Sequence, residues 1–128
     1  MEKDIPGSPS LRQLVDELNS LIKDLRYLEA LDKFYDEGLV TCENENPPVR
    51  GLQAYRERAK GFLSVVSNYK AELRSVIVSG NISVTEWRYS FDNKMAGRWD
   101  CVQVSLQRWK DGKIIHERHH YLTPESSV

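Results

Sequence analysis

The apolar residues of this chain recur at helical steps before about residue 67 and in strand-type runs after it, and this single change of period limits the fold more than any other feature. Leu11, Leu14, Val15, Leu18, Leu21, Ile22 and Leu25 stand three or four residues apart, which places them on one face of a first helix. A second helix is predicted over residues 27–36, with Leu28, Leu31 and Phe34/Tyr35 apolar and a stop near Gly38, because glycine tolerates the left-handed conformation at a helix end. Gly51 opens a third helix over residues 52–67, in which Tyr55, Ala59, Phe62 and Val66 share a face. Between the second and third helices lies a short β-prone run at residues 39–43. It is followed by Asn44-Glu45-Asn46-Pro47-Pro48, whose prolines cannot donate to a ladder and leave an extended loop, a candidate rim.

The rest reads as strands at residues 69–79, 83–91, 98–109 and 113–122, separated by Gly80-Asn81, by residues 92–97 and by Lys110-Asp111-Gly112. Helices gathered first and strands afterwards, joined by hairpin-length reversals, predict an α+β layer with three helices on a curved antiparallel sheet. The expected organisation is a tail at 1–10 ending in a helix cap at Ser8 or Ser10, one domain at 11–122 and a short tail at 123–128. A chain of 128 residues can bury about two-thirds of its unfolded surface, so it is expected to fold without metals or disulfides.

Charge and composition narrow the partners. Eighteen Lys+Arg stand against 19 Asp+Glu, interleaved as in Arg56-Glu57-Arg58, so no basic stripe is offered to nucleic acid. Cys42 and Cys101 are far apart and lack a C-x-x-C companion, which removes the usual zinc and redox spacings and leaves two reduced core thiols as the plain reading. No window of about 18 apolar residues exists and Met1-Glu2-Lys3-Asp4-Ile5-Pro6-Gly7 lacks the apolar stretch of a signal peptide, so no membrane span and a cytoplasmic location are expected.

Leu28-Glu29-Ala30-Leu31-Asp32-Lys33-Phe34-Tyr35, followed by a short strand, a polar turn and a Gly51-led helix, resembles the opening of SnoaL-like proteins, ketosteroid isomerases and nuclear transport factor 2. The hairpin Arg108-Trp109-Lys110-Asp111-Gly112-Lys113-Ile114-Ile115 resembles the ending of the same superfamily, so the likeness runs over residues 11–122. Glu43 to Gly51, with Glu86-Trp87 and His116-Glu117-Arg118, is similar to a SnoaL-like subgroup of unassigned activity. The resemblance implies a cystatin-like, cone-shaped fold enclosing one pocket for a small apolar or cyclic organic ligand. It does not select among isomerase, cyclase, hydrolase, dehydratase and plain binding module.

Side chains alternate faces along a strand, so one pocket residue determines the facing of the others. By resemblance Thr85, Trp87, Tyr89 and Phe91 face inward, as do Ile115, Glu117, His119 and Tyr121, while His116, Arg118 and His120 face out. On the strand between them the family pattern sends Gln103, Ser105 and Gln107 inward, whereas burial alone prefers Val102, Val104 and Leu106. The conflict is resolved by placing the valines and Leu106 on an outer sheet face covered by a second copy, giving a homodimer. Asn19 and Tyr35 complete the expected ligand contacts from the helical half, and Trp87, Tyr89 and Trp109 are either stacking surfaces for a flat ligand or ordinary core aromatics.

Glu43 matches the position of the ketosteroid isomerase base. A carboxylate half-enclosed by aromatics is desolvated, which suits it to proton abstraction, the alternative being a solvated loop or helix-capping glutamate. The family's oxyanion tyrosine falls at Asn19 and its second acidic donor at Ser105, so ketosteroid isomerisation itself is not expected. His119 falls where limonene epoxide hydrolase-like members carry a catalytic aspartate. Glu117, two residues along and about 6.5–7 Å away on the same face, is placed to tune it. Glu43 and His119 facing each other across a cavity would form an acid/base couple for cofactor-independent proton transfer, lyase or hydration chemistry, against a purely structural histidine network, a non-catalytic carrier, or a dimerising interaction domain whose cavity is filled by its own side chains. His116, His119 and His120 do not share a face, so no metal site is expected.

Overall fold

The computed structural model describes residues 9–122, so residues 1–8 of the tail expected at 1–10, with the alternative cap at Ser8, and the tail expected at 123–128 lie outside the described residues. Helix α1 (Leu11–Lys23) begins at a reciprocal cap: the Ser10 hydroxyl accepts from the Gln13 N–H at 3.2 Å and the Gln13 side chain accepts from the Ser10 N–H at 2.8 Å. Two of the donors that a helix N-terminus leaves open are thereby satisfied. The helix stops at Asp24, and Leu25, expected on its apolar face, turns the chain at a φ of 62° into α2 (Tyr27–Phe34).

The second helix is shorter than its pattern predicted. Tyr35 already belongs to β1 (Tyr35–Glu43), where it pairs with Ile114, and Gly38 sits in a register shift of that strand instead of at a helix end. Sheet pairing wins here over a helical period only two residues longer, and the glycine marks an irregular stretch of strand. Two residues, β2 (Val49–Arg50), return antiparallel beside Val40 and Thr41 before α3 (Leu52–Val65) starts from Gly51, whose φ of 92° only glycine adopts freely.

Three long strands follow, β3 (Val66–Ser79), β4 (Ile82–Asn93) and β5 (Gly97–Lys110), and then β6 (Lys113–Tyr121). Asp111 and Gly112 both carry positive φ in the last reversal, the pair a two-residue turn of matching twist requires. The strand order is β2-β1-β6-β5-β4-β3. All neighbours run antiparallel except β1 and β6, which are parallel, so the sheet is mixed. The parallel pair arises because β1, laid down before the helical crossover of α3, lies between edge strand β2 and the last strand β6, a pairing that local turn signals do not reveal. Together the elements form three helices on a six-stranded sheet, the α+β layer that the change of period predicts and the cone-type fold that the family resemblance implies, with a mixed sheet in place of the expected antiparallel one. No helix among the described residues is long and apolar enough to cross a membrane.

The packed core lies at one end, where Val15 and Leu18 of α1 meet Phe34, Leu39, Trp109 and Ile114. Trp109 is thus a core aromatic; its indole N–H is satisfied by Ser83 Oγ at 2.9 Å. No residue of α3 is fully buried, although Tyr55, Ala59 and Phe62 form an apolar face, because that face looks onto a cavity. Removing side-chain volume from the packed end is therefore costly: Leu18→Ala, at a site with no exposure, is expected to lower unfolding free energy by about 2–5 kcal/mol in a urea titration. Met95→Ala, at an exposed turn, should stay within about 0.5 kcal/mol of the wild type.

Candidate functional site

A cavity of about 380 Å³ lies between the helices and the inner face of the sheet. Strand alternation builds most of it. On β4, Trp87 and Tyr89 face in, stacked with ring centres 5.5 Å apart, and Phe91 follows toward the mouth against Trp99. On β5 the inward set is Cys101, Gln103, Ser105 and Gln107, while Val102 and Val104 are exposed on the other side, as the family pattern and not simple burial predicts. On β6, Glu117, His119 and Tyr121 face in. Ile115 does not: a register shift between Arg108 and Trp109 reverses the parity, so Ile114 is the buried residue.

Glu43, Asn19 and Tyr35 also reach the cavity wall. Thr85 faces inward and is buried, yet it is not on the wall, and its hydroxyl has no partner. Alternation selects a face; it does not decide whether an inward side chain meets space or packed neighbours. Glu43 and His119 are not opposed across the cavity, because they are direct partners on the parallel strands β1 and β6 and stand side by side. None of residues 44–48 lines the cavity either. They form a largely exposed turn held down by Tyr121 N–H donating to Asn44 Oδ1 at 2.9 Å, and Arg58, the one exposed wall residue, marks the mouth.

The polar end is organised around Glu117, whose carboxylate is 1% exposed. Its Oε2 accepts from Tyr35 Oη at 2.6 Å and Gln107 Nε2 at 2.7 Å, and its Oε1 accepts from Tyr55 Oη at 2.9 Å and His119 Nε2 at 3.0 Å. The four donors come from β1, β5, α3 and β6, so one charge ties the sheet to the third helix. Gln107 has no freedom to flip: Trp109 donates to Ser83 Oγ, and Ser83 donates to Gln107 Oε1 at 2.7 Å, leaving its amide N–H₂ for Glu117. On the other side of the imidazole, His119 Nδ1 lies 2.7 Å from Ser105 Oγ and 3.2 Å from Gln103 Nε2. These contacts assemble when the ring is neutral, with Nε2–H donating to Glu117 and Nδ1 accepting.

Burial alone would raise the Glu117 carboxyl, but the His119 charge and the bonds from His119, Tyr35 and Gln107 outweigh it and hold the group near 2. His119 is pulled two ways as well: burial favours the neutral ring, and Glu117, with Glu43 adding, moves it above the ordinary imidazole range. Tyr35 and Tyr55 are pushed well above ordinary phenols, by burial first and then by Glu117, so they remain donors. Asn19 completes the polar end. It is 4% exposed, and its Nδ2 has no hydrogen-bond partner, so it presents a free donor at the cavity wall.

Gln107 faces the cavity as the family pattern predicts, whereas Tyr55, Arg58 and Trp99 are wall residues that the sequence did not single out. Tyr55 carried one signal: a tyrosine on an apolar helical face brings a hydroxyl that must be satisfied inside.

Because Glu117 is held below its unfolded value of 4.5, its contribution to stability is present above that pH and is lost as pH falls toward 2. Glu117→Gln turns an all-acceptor group into one that offers N–H to surrounding donors. It is expected to cost about 3–5 kcal/mol in chemical denaturation and to flatten the stability loss between those two pH values. The NMR titration midpoint of His119 should fall in the same variant, since its main charge partner is gone.

No curated protein sequence matches the chain. Among solved structures, a protein provisionally named a SnoaL-like polyketide cyclase from Mesorhizobium loti superposes with a TM-score of 0.79 at 20% identity, covering 88% of this chain and 100% of its own. A protein of the same provisional name from Jannaschia sp. CCS1 gives a TM-score of 0.75 at 18% identity over 97% of this chain and 92% of its own. An epoxide hydrolase of the limonene epoxide hydrolase-like type from M. tuberculosis gives 0.70 at 14% identity, covering 84% and 79%. At these identities the likeness is one of fold. The family model for the SnoaL-like domain matches residues 11–117, which is most of the chain, and the protein therefore belongs to the SnoaL-like domain family.

Proposed function

We propose that the protein is a cofactor-independent enzyme that moves a proton on a small, partly apolar carbonyl or cyclic compound. The observation that carries this reading is a histidine–carboxylate pair, His119 and Glu117, buried at the polar end of a cavity whose remaining wall is largely aromatic. A pair of that kind is costly to build for stability alone, and an imidazole held by a carboxylate on one side and a hydroxyl on the other is suited to give and take protons. His119 is the exchanging group, Glu117 holds its ring and tautomer, and Glu43 on the neighbouring strand is a second carboxylate at the same wall. Asn19 and Gln103 supply amide donors for a carbonyl oxygen, a role in which one donor contributes on the order of a hundredfold in rate. Trp87 and Tyr89 offer a flat surface for the ligand body. The named activities of the similar structures, polyketide cyclase and epoxide hydrolase, are of the same small-molecule kind. Both described cysteines are free, which supports a reducing, cytoplasmic setting.

A homodimer through the outer sheet face is part of the same proposal. Ile77, Val84 and Leu106 are cross-strand neighbours there, next to exposed Val102 and Val104. Sedimentation is expected to give a dimer at micromolar concentration, and Val104→Glu a monomer.

The reaction class is tested without knowing the substrate by incubating apolar ketones with the protein in D₂O and following deuterium entry beside the carbonyl by NMR. Ketones that stabilise the protein in a thermal shift should exchange. His119→Gln should cut exchange by about 100-fold or more while leaving the shift in place. Exchange should rise with pH as the imidazole loses its proton, through a midpoint above 6.5, since the base is the neutral ring. Binding without any exchange would support the non-catalytic carrier instead.

A further inference from the structure

Ser105 stands in a relation to His119 and Glu117 that proton shuttling alone does not require. Its Oγ is 2.7 Å from His119 Nδ1, and the opposite ring nitrogen, Nε2, is 3.0 Å from the buried Glu117 carboxylate. Hydroxyl, imidazole and carboxylate therefore lie in one hydrogen-bonded line, each link within ordinary distance, with the hydroxyl on the cavity wall. The ring nitrogens are used in the reverse order to the familiar serine hydrolase arrangement, which is chemically equivalent, because either nitrogen can accept while the other donates.

The backbone holds the line rigidly. Ser105 and His119 are direct cross-strand partners in β5 and β6, and Glu117 is two residues along the same face. Gln103 Nε2 lies 3.2 Å from Ser105 Oγ, so the hydroxyl accepts from the amide while its own proton points at Nδ1. A serine present only to fill a strand position has no need of a general base on one side and a donor on the other. Asn19 Nδ2, buried and without a partner, adds a free amide donor to the same cavity.

We infer that Ser105 is a nucleophile for acyl transfer, and that small aryl or alkyl esters and thioesters with an apolar body are substrates of this site. As Ser105 Oγ adds to the carbonyl carbon, its proton passes to His119 Nδ1 and the carbonyl electron pair moves onto oxygen, where the Asn19 and Gln103 amides receive it. Collapse of that adduct breaks the bond to the leaving alkoxide or thiolate, which takes the proton from Nδ1. Water then repeats the sequence on the acyl-serine, losing its proton to Nδ1 and releasing the carboxylic acid and free Ser105. Glu117 stays ionised throughout and stabilises the imidazolium formed in each half. The inference rests on the proposed function only in that the cavity must admit a small carbonyl compound.

The test uses diisopropyl fluorophosphate, which phosphorylates an activated serine with loss of fluoride, followed by intact mass and peptide mapping of the full chain. One phosphoryl group on Ser105 is expected, slowed about 100-fold or more in His119→Gln and absent in Ser105→Ala. The ketone thermal shift serves as control for folding and cavity access in each variant. An unmodified wild type that still binds the ketones overturns the nucleophile and leaves the proton-transfer reading standing. A wild type that neither binds nor reacts overturns both. Modification at a residue other than Ser105, or an undiminished rate in His119→Gln, also overturns the inference.

Discussion

One buried negative charge organises this protein. The Glu117 carboxylate has almost no contact with water and is made tolerable by donors from two strands beside its own, from His119 on its own strand and from the third helix. An ionised carboxylate in such a place is costly unless every lone pair is met. The requirement explains why Tyr35 leaves the second helix to begin a strand, and why Tyr55 points its hydroxyl across the cavity. It also explains the chain of bonds from Trp109 through Ser83, which presents Gln107 amide-first. The same charge orients the His119 ring, whose Nε2 lies 3.0 Å from Glu117 Oε1.

The cavity follows from a division of labour between the helices. Helices α1 and α2 fill the space above one end of the sheet with leucine, valine and phenylalanine, while α3 meets the sheet through tyrosine and phenylalanine rings that stand off from it. Open volume is thus left where the wall chemistry changes from aromatic to polar. Stacked pairs, Tyr27 with Phe62 and Trp87 with Tyr89, hold that wall in shape without filling it. The wall thus joins aromatic faces to a hydrogen-bonding end around Glu117, an arrangement that suits the molecule of the proposed function, with an apolar body and one oxygen-bearing end.

Much of this was legible in the order of residues. The change of period between the helical and strand halves gave the layer architecture, and alternation anchored by the family likeness put Trp87, Tyr89, Gln103, Ser105, Glu117 and His119 on one face. Two of the departures have a common physical cause. Ile115 and Gly38 lie at register shifts, where pairing adds or skips a residue and the two-residue rule reverses. The end of the second helix was misread because strand pairing at Tyr35 overrode a local period. Thr85 was expected on the wall because alternation reports direction and says nothing of depth.

The sequence by itself determined what each element is and which way its side chains point, because those properties depend on neighbours a few residues away: a capping serine, a positive-φ glycine, alternating polarity. It also fixed the family, through motifs that sit in order along the chain. Only the tertiary structure decided that β1 lies parallel beside β6, and hence that Glu43 stands next to His119 and not opposite it. Only it brought Tyr35, Tyr55 and Gln107 to Glu117 and aligned Ser105 with His119. Those contacts join residues from 10 to 82 positions apart, and no local rule carries information over that distance; they exist because closing the sheet and helices leaves one buried charge with no other partners.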